Sequence, residues 1–151
     1  MLDASVGVQQ LGPASPLASL AMRSFGLARV QLDGKCALLA HATPQGDLFR
    51  YLQEEQLDRA ADGVTAEIVM LGHTHIQFKK EVGRSIVLNP GSVGLARDGG
   101  GACYALWCDG QIHLRRIEYD VQRTIAALEK APVSQATKEG LSAILQGAKR
   151  R

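Results

Sequence analysis

Several features that would place this chain in a specialised class of protein are scarce or missing. Its 151 residues contain only three cysteines, too few and an odd number for a disulfide-based scaffold, which favours a reducing compartment. No run approaches the roughly 18 continuous apolar residues that a membrane span requires. The formal net charge of +2 provides no concentrated basic face of the kind that binds nucleic acids or membranes. We therefore expect a cytoplasmic protein with neither a nucleic-acid nor a membrane partner.

The composition is that of a globular protein, with 46% hydrophobic and 21% charged residues. Residues 1–23 are the exception, because they show no clean periodicity and are rich in Gly, Pro, Ser and Ala. Their start also lacks the basic region of a signal peptide. Within this part, Pro16 to Phe25 could form a short helix with Ser15 as its N-cap.

From Ala28 onwards, strand and helix patterns alternate. Three hairpins are predicted around turns at Asp33–Gly34, Gly83 and Asp109–Gly110. Two continuous apolar runs, Lys35 to Ala40 and Ala66 to Leu71, have the length of strands covered on both faces. Helices are predicted over Asp47–Leu57, with Leu48, Tyr51 and Leu52 on one face, and over Val121–Lys130 and Thr137–Gln146. This mixture predicts an α/β layered sandwich.

Histidines follow both apolar strands directly. His41 comes after the first strand, and His73 and His75 come after the second, behind Gly72, which permits a sharp turn. Ligands of α/β sheets gather at the carboxyl ends of strands, and residues two apart in an extended segment point to one face. Neutral imidazoles suit Mn, Fe or Zn. The alternative is that these histidines are structural residues held by hydrogen bonds.

A third segment of interest is the loop Asn89–Gly94. Asn-Pro and Gly-Ser make a tight loop whose backbone N–H groups could face an anion. Taken alone, such a loop is as compatible with an ordinary turn as with a binding site.

These segments together resemble the calcineurin-like metallophosphoesterases, in particular the small bacterial and archaeal phosphodiesterases. Four matching segments appear in the family's order: His41–Ala42–Thr43–Pro44, Gly72–His73–Thr74–His75, Asn89–Pro90–Gly91–Ser92–Val93–Gly94 and Arg97–Asp98–Gly99. The resemblance covers roughly Ser24 to Gly147. Leu95 departs from it, because relatives often have a polar residue there.

The resemblance implies a four-layer αββα sandwich that hydrolyses phosphodiesters or small nucleotides with a metal-bound hydroxide. It also implies two divalent ions (Mn, Fe or Zn), with His41 and His73 on one and His75 on the other. Arg97 would contact the substrate phosphate, or alternatively form a surface salt bridge. The loop residues that would support the site are Gly72, Thr74, Asn89, Gly91 and Ser92. The resemblance assigns no catalytic acid or base to these residues.

The carboxylate ligands of that family have no counterpart here. No Asp-x-His, Gly-Asp or Asn-His-Asp motif precedes His41, and the only asparagine is Asn89. We therefore expect residues 24–151 to be the C-terminal portion of one metallophosphoesterase domain without its N-terminal βα units. Such a chain should be inactive alone and could self-associate through exposed sheet. The alternative is a non-catalytic binding module of the same fold.

Overall fold

The computed structural model describes residues 26–148, which form two β-sheets with helices around them. The strands are β1 Leu27–Leu32, β2 Lys35–Ala40, β3 Ile68–Leu71, β4 Phe78–Val82, β5 Ser85–Asn89, β6 Ala102–Cys108 and β7 Gln111–Ile117. The helices are α1 Leu57–Ala61, α2 Val121–Glu129 and α3 Gln135–Leu145, with a 3-10 turn at Glu54–Gln56 before α1. The predicted segment 1–23 and the whole of the predicted helix Pro16–Phe25 lie outside the described residues.

The larger sheet has five strands in the order β1-β2-β3-β5-β4. Its central strands β2, β3 and β5 run parallel to one another, and β1 and β4 are added antiparallel at the two edges. The central strands are mostly buried, as their continuous apolar runs predicted. Because all three run in one direction, the loops that follow them leave the sheet at the same edge.

The second sheet is the β6-β7 ribbon, which packs on one face of the larger sheet. Ile112 of this ribbon contacts a cluster that includes Leu39, Ile68 and Leu88. The opposite face packs against α1, whose Leu57 is 1% exposed. The mixed α/β fold with helix, sheet and sheet in layers is therefore confirmed.

Hydrogen bonds at the turns also connect the two sheets. Trp107 Nε1, on β6, donates to Asp33 Oδ2 in the β1–β2 turn at 2.6 Å. The ammonium group of Lys35 lies 5.6 Å from the centroid of the Trp107 ring. This contact lies at the start of β2, at the opposite end of that strand from His41.

The predicted hairpins are confirmed, and their turn residues explain them. Asp33 and Gly34 have φ angles of 49° and 82°, and Asp109 and Gly110 have 50° and 72°. Two consecutive positive φ angles are the signature of the tight turn that matches the twist of paired strands. The two closing helices are confirmed as well. α3 begins before Thr137 because Ser134 caps it, with its Oγ accepting from Thr137 N.

The predicted helix over Asp47–Leu57 is wrong, because residues 47–53 are not helical, Glu54–Gln56 form only a 3-10 turn and Leu57 is the first α-helical residue. Asp47 Oδ1 accepts from the backbone N–H groups of Phe49 at 2.8 Å and Arg50 at 3.1 Å, which bends the chain locally. Of the expected apolar face, Leu52 packs against the core, whereas Tyr51 is 49% exposed. The segment instead runs past the end of β3.

No helix within the described residues is long and apolar enough to cross a membrane.

All three cysteines are unpaired thiols, and they differ in exposure: Cys103 is buried on β6, whereas Cys108 is exposed at the end of that strand.

Candidate metal centre

The loops after β2 and β3 bring two of the predicted ligands together. Gly72 N donates to His41 O at 2.8 Å, which continues the pairing of the two strands one step beyond the sheet. Beyond it, His41 Nε2 lies 3.1 Å from His73 Nδ1, and the two rings meet edge to face with centroids 5.0 Å apart. Two imidazole nitrogens therefore face each other at the carboxyl edge of the sheet.

The surroundings of His73 favour a neutral ring in one tautomer. Its Nε2 lies 3.1 Å from Phe49 O, and because a carbonyl only accepts, Nε2 carries the proton and donates. Burial lowers the pKa of His73, and the neighbouring His41 lowers it further, while the bond to Phe49 opposes both. The lone pair of the neutral ring is then on Nδ1, the atom that faces His41. Metal-binding histidines characteristically donate their second N–H in this way.

His75 is oriented by the loop that follows β5. Its Nδ1 lies 3.1 Å from Leu95 O, which by the same reasoning places the proton on Nδ1 and the lone pair on Nε2. Its own carbonyl accepts from Arg97 N at 3.0 Å. His75 is close enough to influence the pKa of His73 electrostatically. Across residues 26–148, however, no three or more His, Cys, Asp or Glu side chains are grouped to hold one metal ion.

The backbone at these histidines differs from the extended segment expected from the sequence. His73 and His75 have φ angles of 61° and 59°, in the left-handed region that few residues other than glycine adopt. Thr74 N donates to Gly72 O at 2.7 Å, which closes a tight turn around His73. Each such residue costs on the order of 1–3 kcal/mol, so the surrounding structure must hold the turn in place.

Asn89, at the end of β5, provides that support. Its Nδ2 donates to Gly72 O at 2.6 Å and to Thr74 Oγ1 at 3.1 Å. Its Oδ1 accepts from Gly91 N at 2.8 Å, and the residue is 1% exposed. One buried amide therefore connects the histidine turn to the loop after β5.

The loop itself fits against the second sheet. Gly91 has a φ of 83°, and a Cβ built there would lie 2.6 Å from the Cβ of Cys103 on β6, so no side chain fits. Ser92 Oγ accepts from Leu95 N at 3.0 Å. The predicted supporting residues thus form one hydrogen-bonded unit, in which Leu95 supplies the carbonyl that orients His75.

Arg97 lies beside the histidines and contacts a residue that the sequence did not place there. Its guanidinium donates to Tyr51 Oη at 3.1 Å, and the Tyr51 ring lies 4.4 Å from that of His73. Because the sequence predicted a helix over Asp47–Leu57, neither Tyr51 nor the Phe49 carbonyl was expected as a neighbour of His73. The signal that could have revealed them is Asp47, whose side chain competes with helix formation.

The spacing of the two facing nitrogens is suited to a metal ion. An ion with bonds of about 2.0–2.1 Å to two imidazole nitrogens brings those nitrogens to roughly 2.9–3.4 Å of each other. The nitrogens of His41 and His73 are 3.1 Å apart. The donor set within the described residues is nevertheless neutral, because no carboxylate joins the two rings. These residues fit one side of a metal site.

A mixed sheet with histidines at the carboxyl ends of its parallel strands is the architecture of a metallophosphoesterase. Residues 21–108 match the model of the calcineurin-like phosphoesterase superfamily domain, which is more than half of the chain. The protein therefore belongs to the calcineurin-like phosphoesterase superfamily, whose members generally use divalent metal ions.

Individual proteins resemble this chain in sequence or in fold. An uncharacterised protein of Methanocaldococcus jannaschii is 28% identical over 118 residues, covering 66% of this chain and 48% of that protein. A hypothetical protein of Pyrococcus horikoshii superposes with a TM-score of 0.61 at 16% identity, covering 83% of this chain and 51% of that one. A metallophosphoesterase of Sphaerobacter thermophilus gives 0.61 at 20% identity, covering 77% and 56%. The chain thus spans about half the length of the relatives it matches.

Replacing Asn89 tests the support of the histidine turn. Asn89→Ala should lower the free energy of unfolding by about 1–3 kcal/mol, because the buried Gly91 N–H loses its partner and the Gly72 carbonyl keeps only the Thr74 N–H. Urea denaturation followed by circular dichroism measures the change. The control Gln111→Ala, at an exposed hairpin position, should stay within about 0.5 kcal/mol of the wild type. Equal stability of the two variants would contradict the role assigned to Asn89.

Proposed function

We propose that this chain supplies the histidine side of a two-metal centre that hydrolyses phosphate esters, either phosphodiesters or small nucleotides, in the cytoplasm. The observation that carries the proposal is the 3.1 Å approach of His41 Nε2 and His73 Nδ1 at the shared edge of parallel strands. His41 and His73 would bind one ion and His75 its neighbour. The ions would be Mn, Fe or Zn, which imidazole nitrogens suit.

In this proposal the chain's own residues position the ligands and the substrate. The carbonyls of Phe49 and Leu95 hold His73 and His75 in the tautomers that ligation requires. Arg97 lies next to His73 and His75, and its guanidinium would contact a phosphate oxygen. When bound, divalent ions polarise phosphoryl oxygens and lower the pKa of a coordinated water towards neutrality.

The charge of the site limits what this chain does alone. Two divalent ions about 3.5–4 Å apart repel each other strongly unless an anion bridges them. Neutral imidazoles contribute no negative charge. The bridging carboxylate would therefore come from a further part of the protein or from another chain, in keeping with relatives of about twice this length. By itself the chain should bind at most one ion, and weakly.

Metal binding is the first test. Titration of the chain with Mn²⁺ or Zn²⁺ in a calorimeter should give no more than one equivalent bound. His73→Ala should remove that binding because it deletes one of the two facing nitrogens. His113→Ala is the matched control, since His113 lies within β7, and it should bind like the wild type. Two equivalents bound tightly by the wild type would refute the proposal that this chain supplies only one side of the metal centre.

Hydrolysis is the second test. With Mn²⁺ and bis-p-nitrophenyl phosphate, the chain alone should release nitrophenolate no faster than a protein-free blank. Robust turnover that His73→Ala abolishes would show that the site is complete. If neither metal binding nor hydrolysis depends on His73, the chain is instead a non-catalytic module of this fold.

Association is the third test. β1 is an edge strand whose outward residues are exposed, Leu27 by 40%, and unpaired strand edges favour pairing between chains. We expect the chain to self-associate, so that light scattering coupled to size exclusion gives a mass that increases with concentration. Gln31→Lys, at an exposed position of β1, should reduce that mass, while Glu139→Lys on the exposed side of α3 should not. A monomer at every concentration would contradict this prediction.

A further inference from the structure

The segment 95–98, in the loop after β5, makes two hydrogen bonds to His75. The Leu95 carbonyl lies 3.1 Å from His75 Nδ1, and Arg97 N donates to the His75 carbonyl at 3.0 Å. The first bond keeps the proton of the neutral ring on Nδ1 and the lone pair on Nε2. The tautomer of His75 therefore depends on how firmly this segment is held.

The backbone that follows the segment is not stiff. Gly99, Gly100 and Gly101 come directly after it, with φ angles of 136°, 76° and 75°. Glycine is the least conformationally restricted residue, so three in succession restrain the preceding residues little. A side chain that anchors the segment is therefore effective at this point.

Asp98 provides such an anchor with both oxygens of its carboxylate. Oδ2 accepts from Gln77 N at 2.9 Å, and Oδ1 lies 2.8 Å from Nη2 of Arg116 on β7. The Asp98 side chain is only 19% exposed, so water screens this ion pair less than it screens a surface pair. Arg116 also donates to the Gly100 carbonyl, and its hydrogen bond with Asp98 raises the pKa of Arg116. One guanidinium thus holds the end of the segment and the glycines after it.

Gln77, the second partner of Asp98, is itself fixed to the surrounding structure. Its Nε2 donates to three backbone carbonyls, those of Arg115 at 2.9 Å, Pro90 at 3.1 Å and Tyr104 at 3.3 Å. Two of these acceptors belong to the β6-β7 ribbon and one to the loop after β5. The bond from Gln77 N therefore ties Asp98 to a well-held point two residues beyond His75.

The two segments are connected at both ends. Arg97 N bonds the carbonyl of His75 at one end, and Asp98 Oδ2 bonds the N–H of Gln77 at the other. Without the carboxylate, the second connection is lost together with the link to β7. The Leu95 carbonyl would then be free to move away from the ring of His75.

We propose that Asp98 is a positioning residue of the candidate metal centre. Bound to Gln77 N and Arg116, its carboxylate holds the segment 95–97 in place. The Leu95 carbonyl then stays against His75 Nδ1 and maintains the tautomer whose lone pair is on Nε2. This role rests on the proposed function only where it assigns that lone pair to a metal ion. A merely structural carboxylate would stabilise the fold without affecting the tautomer of His75.

The tautomer can be measured without a metal ion. In free histidine the proton of the neutral ring favours Nε2, so an Nδ1–H ring reports an acceptor such as the Leu95 carbonyl. Long-range ¹H–¹⁵N correlation spectra of the labelled full chain, in EDTA at about pH 8 where an ordinary imidazole is neutral, distinguish the two forms. Wild-type His75 should be mainly Nδ1–H. His73, whose Nε2 donates to Phe49 O, should be mainly Nε2–H.

Replacing either member of the ion pair should change His75 alone. Asp98→Ala should lower its ratio of Nδ1–H to Nε2–H by at least about fivefold, the effect of losing one ordinary hydrogen bond. Arg116→Gln should lower the ratio in the same direction, and the double variant should go no further than Asp98→Ala, because both act through one pair. Arg115→Gln, at the neighbouring exposed position of β7, removes a charge without this contact and should match the wild type. His73 should be unchanged in every variant.

Three results would overturn the inference: a wild-type His75 that is mainly Nε2–H, an unchanged ratio at His75 in both single variants, or an equal change at His73, which would indicate general loosening. Circular dichroism checks folding, and if Asp98→Ala does not fold, Arg116→Gln decides. Since the sample contains no metal, the outcome is independent of the metal titration. A fall at His75 without His73-dependent metal binding refutes the metal centre and keeps the positioning role. Metal binding that depends on His73, with His75 unmoved, does the reverse.

Discussion

The buried amide of Asn89 holds the carboxyl ends of β3 and β5 in register beyond the point where the sheet itself ends. Through two donated bonds and one accepted bond, it fixes a turn in which two histidines adopt left-handed backbone angles. Such angles are unfavourable in isolation, and the hydrogen bonds from Asn89 to Gly72 and Thr74 help to hold them. Asn89 thus supports the backbone of the histidine turn, while the carbonyls of Phe49 and Leu95 orient the two imidazoles.

The electrostatic character of the site follows from the types of residue it contains. Burial and the nearby His41 lower the pKa of His73, so the ring is a neutral donor near physiological pH. Neutral rings coordinate a transition metal ion well, but they do not offset the repulsion between two ions. In the proposed two-metal centre that negative charge would come from a carboxylate outside this set of imidazoles.

Much of the framework was predictable because local chemistry determines it. Asp-Gly turns set the hairpins, continuous apolar runs marked the buried parallel strands, and histidines directly after those strands had to emerge at one edge. Two features were not predictable in this way. The apolar spacing between Asp47 and Leu57 resembles a helix, yet the Asp47 side chain bonds the backbone locally and the Tyr51 ring lies against His73 rather than in the core. The left-handed angles of His73 and His75 arise from a contact with a residue on another strand, which spacing along the chain does not encode.

The hydrogen bond between Trp107 and Asp33 gives the molecule a built-in optical reporter. Trp107 is the only tryptophan, and it lies where the ribbon meets the far end of the larger sheet, with Lys35 close to its ring. Its emission therefore responds to separation of the two sheets, while ligands at the opposite end of β2 leave its immediate surroundings unchanged. Fluorescence from this single indole can thus report whether the two sheets are packed together, independently of ligand binding at the histidines.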